Sequence, residues 1–279
     1  MCRHRGTSPH PTGSPKSASP EPGVFPGRIM NQPRIHALIP AAGSSRRFGG
    51  TTLKQYMHLC GQPMINYSIE AVRRHPAIRG VTVALVENDG IYDQLIRPRF
   101  PDVGTTLGGP SRAQTVMNGL AYILANDPST EWVLVHDAAR PCLPPRCLDE
   151  LITSGLASRD GALLAIPASD TIKRSAADGR VEKTVSREGL WHAQTPQLFP
   201  ARRLAEALAH ALAANEPPTD EAAAMEGAGA RPLLVMGAQS NIKITRAEDL
   251  HMAETLLKAA GLDTMHKNEE HAQANRAGR

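Results

Sequence analysis

The sequence predicts an α/β domain: a mostly parallel sheet with helices on both faces and a β-hairpin arm projecting from it. Three observations carry that reading. Short apolar runs that suit buried strands recur along the chain. Stretches with helical periodicity fall between them, and strand–helix alternation at these lengths indicates parallel strands joined by helical crossovers. One weakly hydrophobic stretch, residues 170–191, breaks the rhythm.

Taken in order, Arg34–Ile39 (RIHALI) is the first strand, Met64–Arg74 the first helix and Gly80–Val86 the second strand. Ala113–Ala125 is helical, Trp132–His136 is a strand, and Cys147–Ser158 is the helix that follows. Ala162–Ile166 is the fourth strand. Residues 170–191 (DTIKRSAADGRVEKTVSREGLW) then place an Asp-Gly turn between two polar, β-leaning segments, the pattern of a hairpin. So little apolar content predicts an arm that leaves the domain and packs on something else. Arg202–Ala213 is helical, Pro232–Met236 is the last strand, and a helix over about 246–260 closes the domain.

The chain of 279 residues is long enough to bury a substantial core. The domain is read as residues 34–263, with loose segments on either side. Residues 1–33 hold seven prolines among Ser, Gly and His, a composition that buries too little apolar surface to offset its ordering entropy. Met30 stands just ahead of the first strand, which makes the first 29 residues readable as an upstream extension. Residues 264–279 read as a second flexible tail. The net charge of +4 lies in these segments: residues 1–33 carry +3 and 264–279 carry +1, leaving 34–263 neutral. Net charge therefore gives no support for nucleic acid as a partner. No window approaches the roughly 18 consecutive apolar residues of a membrane span. No apolar signal-peptide core is present at the N-terminus. The four cysteines, Cys2, Cys60, Cys142 and Cys147, form no Cys-x-x-Cys pair and suit free thiols in a reducing cytoplasm.

The motifs sit where strands end. The first strand runs into PAAGSSRRFGG (residues 40–50), with Lys54 just beyond. Small residues let backbone N–H groups cup phosphate oxygens, and Arg46, Arg47 and Lys54 add the charge a triphosphate needs. The same residues also suit a plain glycine-rich turn with surface arginines. The motif is neither a P-loop nor a dinucleotide turn. The strand VLV ends in His136 and Asp137, with Ala138, Ala139, Arg140 and Pro141 behind them. A lone Asp at a sheet's carboxyl edge suits Mg²⁺ held with phosphate oxygens and water, and equally suits a turn cap. His136 reads as structural. In GGPSRAQT (residues 108–115), Ser111 suits a helix cap, whereas the loop backbone and Thr115 suit contact with a base edge. NIKIT (residues 241–245) places Lys243 in a short strand, either facing a ligand or snorkelling to solvent.

From Ile39 to about Leu257 these words resemble the 2-C-methyl-D-erythritol 4-phosphate cytidylyltransferase family. The matching stretches are PAAGSSRR with LKQY, GG-SRA, VLVHDAARP, DTIKR, TVSREGLWHAQTPQ, PPTDEA and NIKITRAEDL. The resemblance implies a Rossmann-like nucleotidyltransferase domain and a homodimer whose arm reaches the partner subunit. It places Arg47 and Lys54 on the phosphates of CTP and Asp137 on Mg²⁺ or another divalent cation. Ala41, Ala42, Gly43, Gly109, Arg112, Thr115 and Ala138 would line the nucleotide. Arg140, Thr171, Arg187, Thr195 and Lys243 would hold the methylerythritol phosphate, with Thr171 and Arg187 supplied by the partner's arm. Thr219 and Asp220 would meet the substrate's hydroxyls. Three positions depart from the family pattern: Ser45 where glycine is usual, Leu53 where proline precedes the lysine, and Pro110, which has no N–H to offer a base.

The implied reaction is attack of the acceptor's phosphate on the α-phosphorus of CTP. A phosphate monoester with a second pKa of about 6 is mostly a dianion at pH 7 and needs no general base. That agrees with the absence of a Ser-His-Asp or Cys-His set. Preorganised positive charge is then the whole task, and Arg47, Lys54, Arg187 and Lys243 are the groups that would supply it. A ribitol 5-phosphate cytidylyltransferase would share the nucleotide half. An NAD-dependent oxidoreductase would need the dinucleotide turn that is missing. A non-catalytic nucleotide-binding module would have no use for Asp137 and Lys243.

Overall fold

The computed structural model describes residues 33–43 and 53–262. The expectations for residues 1–32 and 263–279, and those for Ser45, Arg46 and Arg47, lie outside the described residues.

In chain order the elements are β1 (Ile35–Pro40), β2 (His58–Leu59), β3 (Gln62–Pro63), α1 (Met64–Arg73), β4 (Ile78–Leu85), β5 (Gly104–Leu107) and α2 (Arg112–Asn126). There follow β6 (Trp132–Val135), α3 (Pro145–Ala157), β7 (Ala162–Pro167), β8 (Ile172–Ser175), β9 (Val181–Val185) and β10 (Trp191–Pro200). The last are α4 (Ala201–Ala213), α5 (Glu221–Gly227), β11 (Leu233–Met236) and α6 (Glu248–Ala259). Seven strands form one sheet in the order β11-β7-β10-β6-β1-β4-β5. Every pairing is parallel except those of β10, which runs against β6 and β7.

Period-two alternation sorts the sheet's side chains. Ile35, Ala37 and Ile39 of β1 and Leu134 of β6 pack with α1 and α3 on one face. Leu38, Val133 and Val135 pack with α2, α4 and α5 on the other. Val116, Leu120 and Ile123 recur at helical spacing, so one stripe of α2 is buried. Gly119 lies in that helix although glycine costs about 1 kcal/mol relative to alanine there. A Cβ at Gly119 would lie 2.5 Å from Leu38 Cδ1, so its absence lets α2 seat on β1. A third cluster, including Leu59, Ile244, Ala253 and Leu257, fixes α6.

The chain leaves β1 for β4 and β5 on one side, then returns to β6 on the other. Such a reversal opens a crevice outside the carboxyl ends of β1 and β6.

The five expected strands and five expected helices all form, and β8 and β9 make the hairpin around Asp178-Gly179. Sequence reading missed β5, β10, α5 and the small β2–β3 ladder. The stretch NIKIT is not a strand. It is a loop, held where Ile244 N–H donates to the Ala139 carbonyl at 2.9 Å.

Candidate active site

The crevice is a cleft of about 860 Å³. Its walls are Ala41–Gly43 after β1, residues 109–112 leading into α2 and residues 137–139 after β6, joined by Lys54, Lys243 and Thr245. Local packing dictates how these loops meet. A Cβ at Gly108 would lie 2.3 Å from the Ala42 Cβ, so only glycine lets the loop before α2 touch the loop after β1. Thr115 Oγ1 accepts from the Gly109 N–H at 3.0 Å, and Ser111 caps α2 by accepting from Gln114 N–H at 3.1 Å. Gln55 Nε2 donates to the Ala41 carbonyl at 2.7 Å, and the neighbouring Lys54 Nζ donates to the Ile244 carbonyl at 3.3 Å.

Asp137 is the one acidic group on the cleft wall among the described residues. Lys243 Nζ lies 2.7 Å from its Oδ2, Arg112 Nη2 lies 3.2 Å from its Oδ1, and Arg140 Nε lies 3.8 Å from Oδ2. Burial works against the carboxylate's charge, but Arg112, Lys243 and Arg140 overcome it and hold the pKa well below the usual range. Beneath it, Asp137 N–H donates to Thr195 Oγ1 at 2.9 Å. His136 fixes the rest. The Arg140 carbonyl can only accept, so His136 Nε2 carries the proton donated to it at 3.1 Å. His136 Nδ1 is then an acceptor for the Thr195 hydroxyl at 3.2 Å. Burial pushes the His136 pKa down to about 4, which keeps the ring neutral and structural, as the sequence suggested.

Thr195 reaches Asp137 because β10 bulges. Ala193 pairs with Ala165 and Gln197 with Leu163, leaving Gln194, Thr195 and Pro196 outside the ladder. Gln194 Nε2 donates to the Ala238 carbonyl at 2.9 Å, and Asn241 Nδ2 donates to the Thr195 carbonyl at 2.9 Å. The bulge thus braces Asp137 from below and anchors the loop that brings Lys243 to it.

The model for the 2-C-methyl-D-erythritol 4-phosphate cytidylyltransferase family matches residues 35–259. The chain belongs to this family. A cytidylyltransferase of that name from Shewanella amazonensis is 47% identical over 225 residues, which span 81% of this chain and 94% of the relative. One from Tolumonas auensis is 44% identical over 227 residues, spanning 81% and 98%. A crystal structure of 4-diphosphocytidyl-2C-methyl-D-erythritol synthase superposes with a TM-score of 0.71 at 38% identity, covering 81% of this chain and 98% of that one. The Francisella tularensis 2-C-methyl-D-erythritol 4-phosphate cytidylyltransferase gives 0.68 at 32% identity, covering 80% and 100%. This chain is accordingly an enzyme, a nucleotidyltransferase with the mostly parallel α/β sheet of that family.

In this cytidylyltransferase the cleft gathers Ala41, Ala42, Gly43, Lys54, Gly109, Arg112, Thr115, Asp137, Ala138 and Lys243 from five separate stretches of chain. Other predicted residues lie elsewhere. Arg140 is buried below the floor, where Nη1 donates to the Asn241 carbonyl at 2.5 Å and Nη2 to that of Ala193 at 3.4 Å. Thr195 is the buried prop just described. Asp220 is the cap of α5, accepting from Ala223 N–H at 2.9 Å. Thr219 is exposed beside it. Thr171 and Arg187 are exposed on the arm, and Arg187 Nη1 donates to the Ser169 carbonyl of its own chain. Sequence reading assigned no role to Gln55, Gln194, Asn241 and Glu221, although each stands in a matching stretch, because each acts through a partner at least 14 residues away along the chain.

No group of three or more His, Cys, Asp or Glu side chains able to hold a metal occurs among the described residues. A single carboxylate on the wall of this cleft instead fits a small divalent ion carried mainly by phosphate oxygens and water.

Proposed function

We propose that this chain transfers CMP from CTP to 2-C-methyl-D-erythritol 4-phosphate, giving 4-diphosphocytidyl-2-C-methyl-D-erythritol and pyrophosphate. The observation that carries this reading is the meeting of Asp137, Arg112, Lys243 and Lys54 in one cleft at the reversal point of the sheet, in a chain of this family. An oxygen of the acceptor's phosphate bonds to the α-phosphorus, the bond from that phosphorus to the bridging oxygen breaks, and the electron pair leaves on pyrophosphate. No proton has to move, because the acceptor's second pKa of about 6 leaves it a dianion at pH 7.

The chain's part is positioning and charge. Backbone of Ala41–Gly43 cups the triphosphate, with Arg47 and Lys54 on its oxygens. Gly109, Arg112, Thr115 and Ala138 border the nucleoside. Lys243 and Arg140, with Thr195 behind them, set the acceptor side, and Thr219 and Asp220 border its hydroxyls. Asp137 would hold Mg²⁺ or a similar divalent cation, which when bound neutralises triphosphate charge. A homodimer completes the site with Thr171 and Arg187 of each arm, and the arm's bare apolar groups support this: Val181 is 64% exposed, Leu190 39% and Trp191 36%. A cytoplasmic location is supported by the free thiols of Cys60, Cys142 and Cys147. No described helix is long and apolar enough to cross a membrane.

Pyrophosphate release measured with each of the four nucleoside triphosphates, against methylerythritol phosphate and ribitol 5-phosphate, tests the reading. Turnover is expected for CTP with methylerythritol phosphate. Faster turnover with ribitol 5-phosphate, or indifference to the base, would overturn it.

A further inference from the structure

We propose that Glu221 is a positioning residue: by holding the Arg112 guanidinium, it keeps Asp137 available to a divalent cation that arrives with the nucleotide. The inference rests on the reading of Asp137 given above.

Glu221 is the first residue of α5 and is 1% exposed, behind the cleft rather than on its wall. Its two oxygens take the fork of Arg112, Nη1 at 2.5 Å and Nη2 at 3.0 Å. The same Nη2 lies 3.2 Å from Asp137 Oδ1, so one guanidinium is shared between two carboxylates. The position of Glu221 is built in. Gln197 of β10 donates from Nε2 to Asp220 Oδ2 at 2.9 Å and accepts the Ala222 N–H at 2.9 Å, clamping the start of α5 to the sheet. A carboxylate buried so deeply is costly unless it serves its partner.

The two bonds to Glu221 offset the charge of a guanidinium that already meets Asp137 at 3.2 Å. Without the Glu221 charge, Asp137 becomes the anion nearest Arg112 among the described residues. The guanidinium then faces Asp137 alone, and the site gains one unit of positive charge. That change acts with opposite sign on two ligands: it weakens binding of a divalent cation and does not weaken binding of metal-free CTP, an anion. Loss of structure would weaken both.

Calorimetric titration of CTP into the full-length protein, from no Mg²⁺ to saturating Mg²⁺, reads both effects without turnover. Glu221→Gln is expected to raise the Mg²⁺ midpoint by at least about tenfold, a typical size for coupling between neighbouring sites. Metal-free CTP affinity should stay equal or tighten. Adding Arg112→Met to Glu221→Gln removes the competing cation and should bring the midpoint back toward wild type. An unchanged midpoint in folded Glu221→Gln, or metal-free CTP affinity falling in step with it, overturns the proposal. Should Glu221→Gln fail to fold, Glu221→Asp keeps the charge at shorter reach. An intermediate rise in its midpoint supports the proposal and an unchanged one overturns it. Asp137→Asn, titrated alongside, separates the two readings. If wild type shows no Mg²⁺ dependence, or Asp137→Asn retains it, the role of Asp137 itself fails. If both behave as expected and Glu221→Gln does not shift, the failure belongs to Glu221 alone.

Discussion

At the scale of single residues, Asp137 and His136 are neighbours with opposite electrostatic fates. Asp137 is buried among cations and stays charged, whereas His136 is buried among neutral hydrogen-bond partners and stays neutral. Asp137→Asn keeps the shape of the side chain and removes the charge that would hold a metal. Turnover is expected to fall by about 10²–10³ or more, as when a single charge-stabilising group is lost elsewhere. Circular dichroism should stay native, and near-normal turnover at low Mg²⁺ would make Asp137 only a cap. The imidazoles set a pH dependence of stability. His136 and His36 are both pushed down to about 4 by burial. Below about pH 6.5 the unfolded chain therefore binds protons that the folded chain does not. These rings leave stability flat between about pH 6.5 and 8 and make it fall as pH drops from about 6.5 toward 4, by up to about 1.4 kcal/mol per pH unit for each ring. Urea titrations at several pH values check this, and a curve flat down to pH 5 would contradict it.

Elements made of uniform stuff were legible, and elements made of mixed stuff were not. β1, β4, β6, β7 and β11 announce themselves as apolar runs, and α1 to α4 by their buried stripes. β10 does not, because Gln194, Thr195 and Gln197 are buried polar groups whose partners lie in α5, the turn after β6 and the loop before Lys243. Alternation rules assume that buried means apolar, and here the bulged strand is buried in order to be polar. β5 (GTTL) is too short to show a period, and α5 is an alanine-rich pair of turns fixed by its cap. The site divides in the same way. Asp137, Lys54, Lys243 and Glu221 all stand in recognisable words, but the pairing of Glu221 with Arg112, 109 residues away, is visible only once the chain has folded. The arm was legible through its Asp-Gly turn, and its dimer role is open to a direct test. Inactive Arg187→Ala and Lys54→Ala dimers, mixed to exchange subunits, should regain about half of wild-type activity per heterodimer, since an isologous pair then has one site with both defects and one with neither. No rescue after demonstrated exchange would show that each arm serves its own subunit.

For the whole molecule, the strand order decides where chemistry can occur, and each described element of the sheet, its helices and its cleft begins at or after Ile35. Removing residues 1–29, whose composition is rich in proline, should shift the melting temperature by less than about 2 °C, the effect of a fraction of a kcal/mol. Turnover should be unchanged, and a markedly lower melting point or lost activity would show that the segment packs on the core. The single reversed strand has a separate consequence. Trp191 pairs with Pro167, so both feet of the hairpin stand on the same rim of the sheet as the cleft. Lengthening or replacing what lies between those feet leaves the ladder's register untouched, and each doubling of loop length costs only about 0.6 kcal/mol. With the arm gripping the acceptor as proposed, such a scaffold can inherit a new acceptor grip as a cassette while its nucleotide machinery descends unaltered, so lineages built on it are free to diverge in what they activate long before they diverge in how.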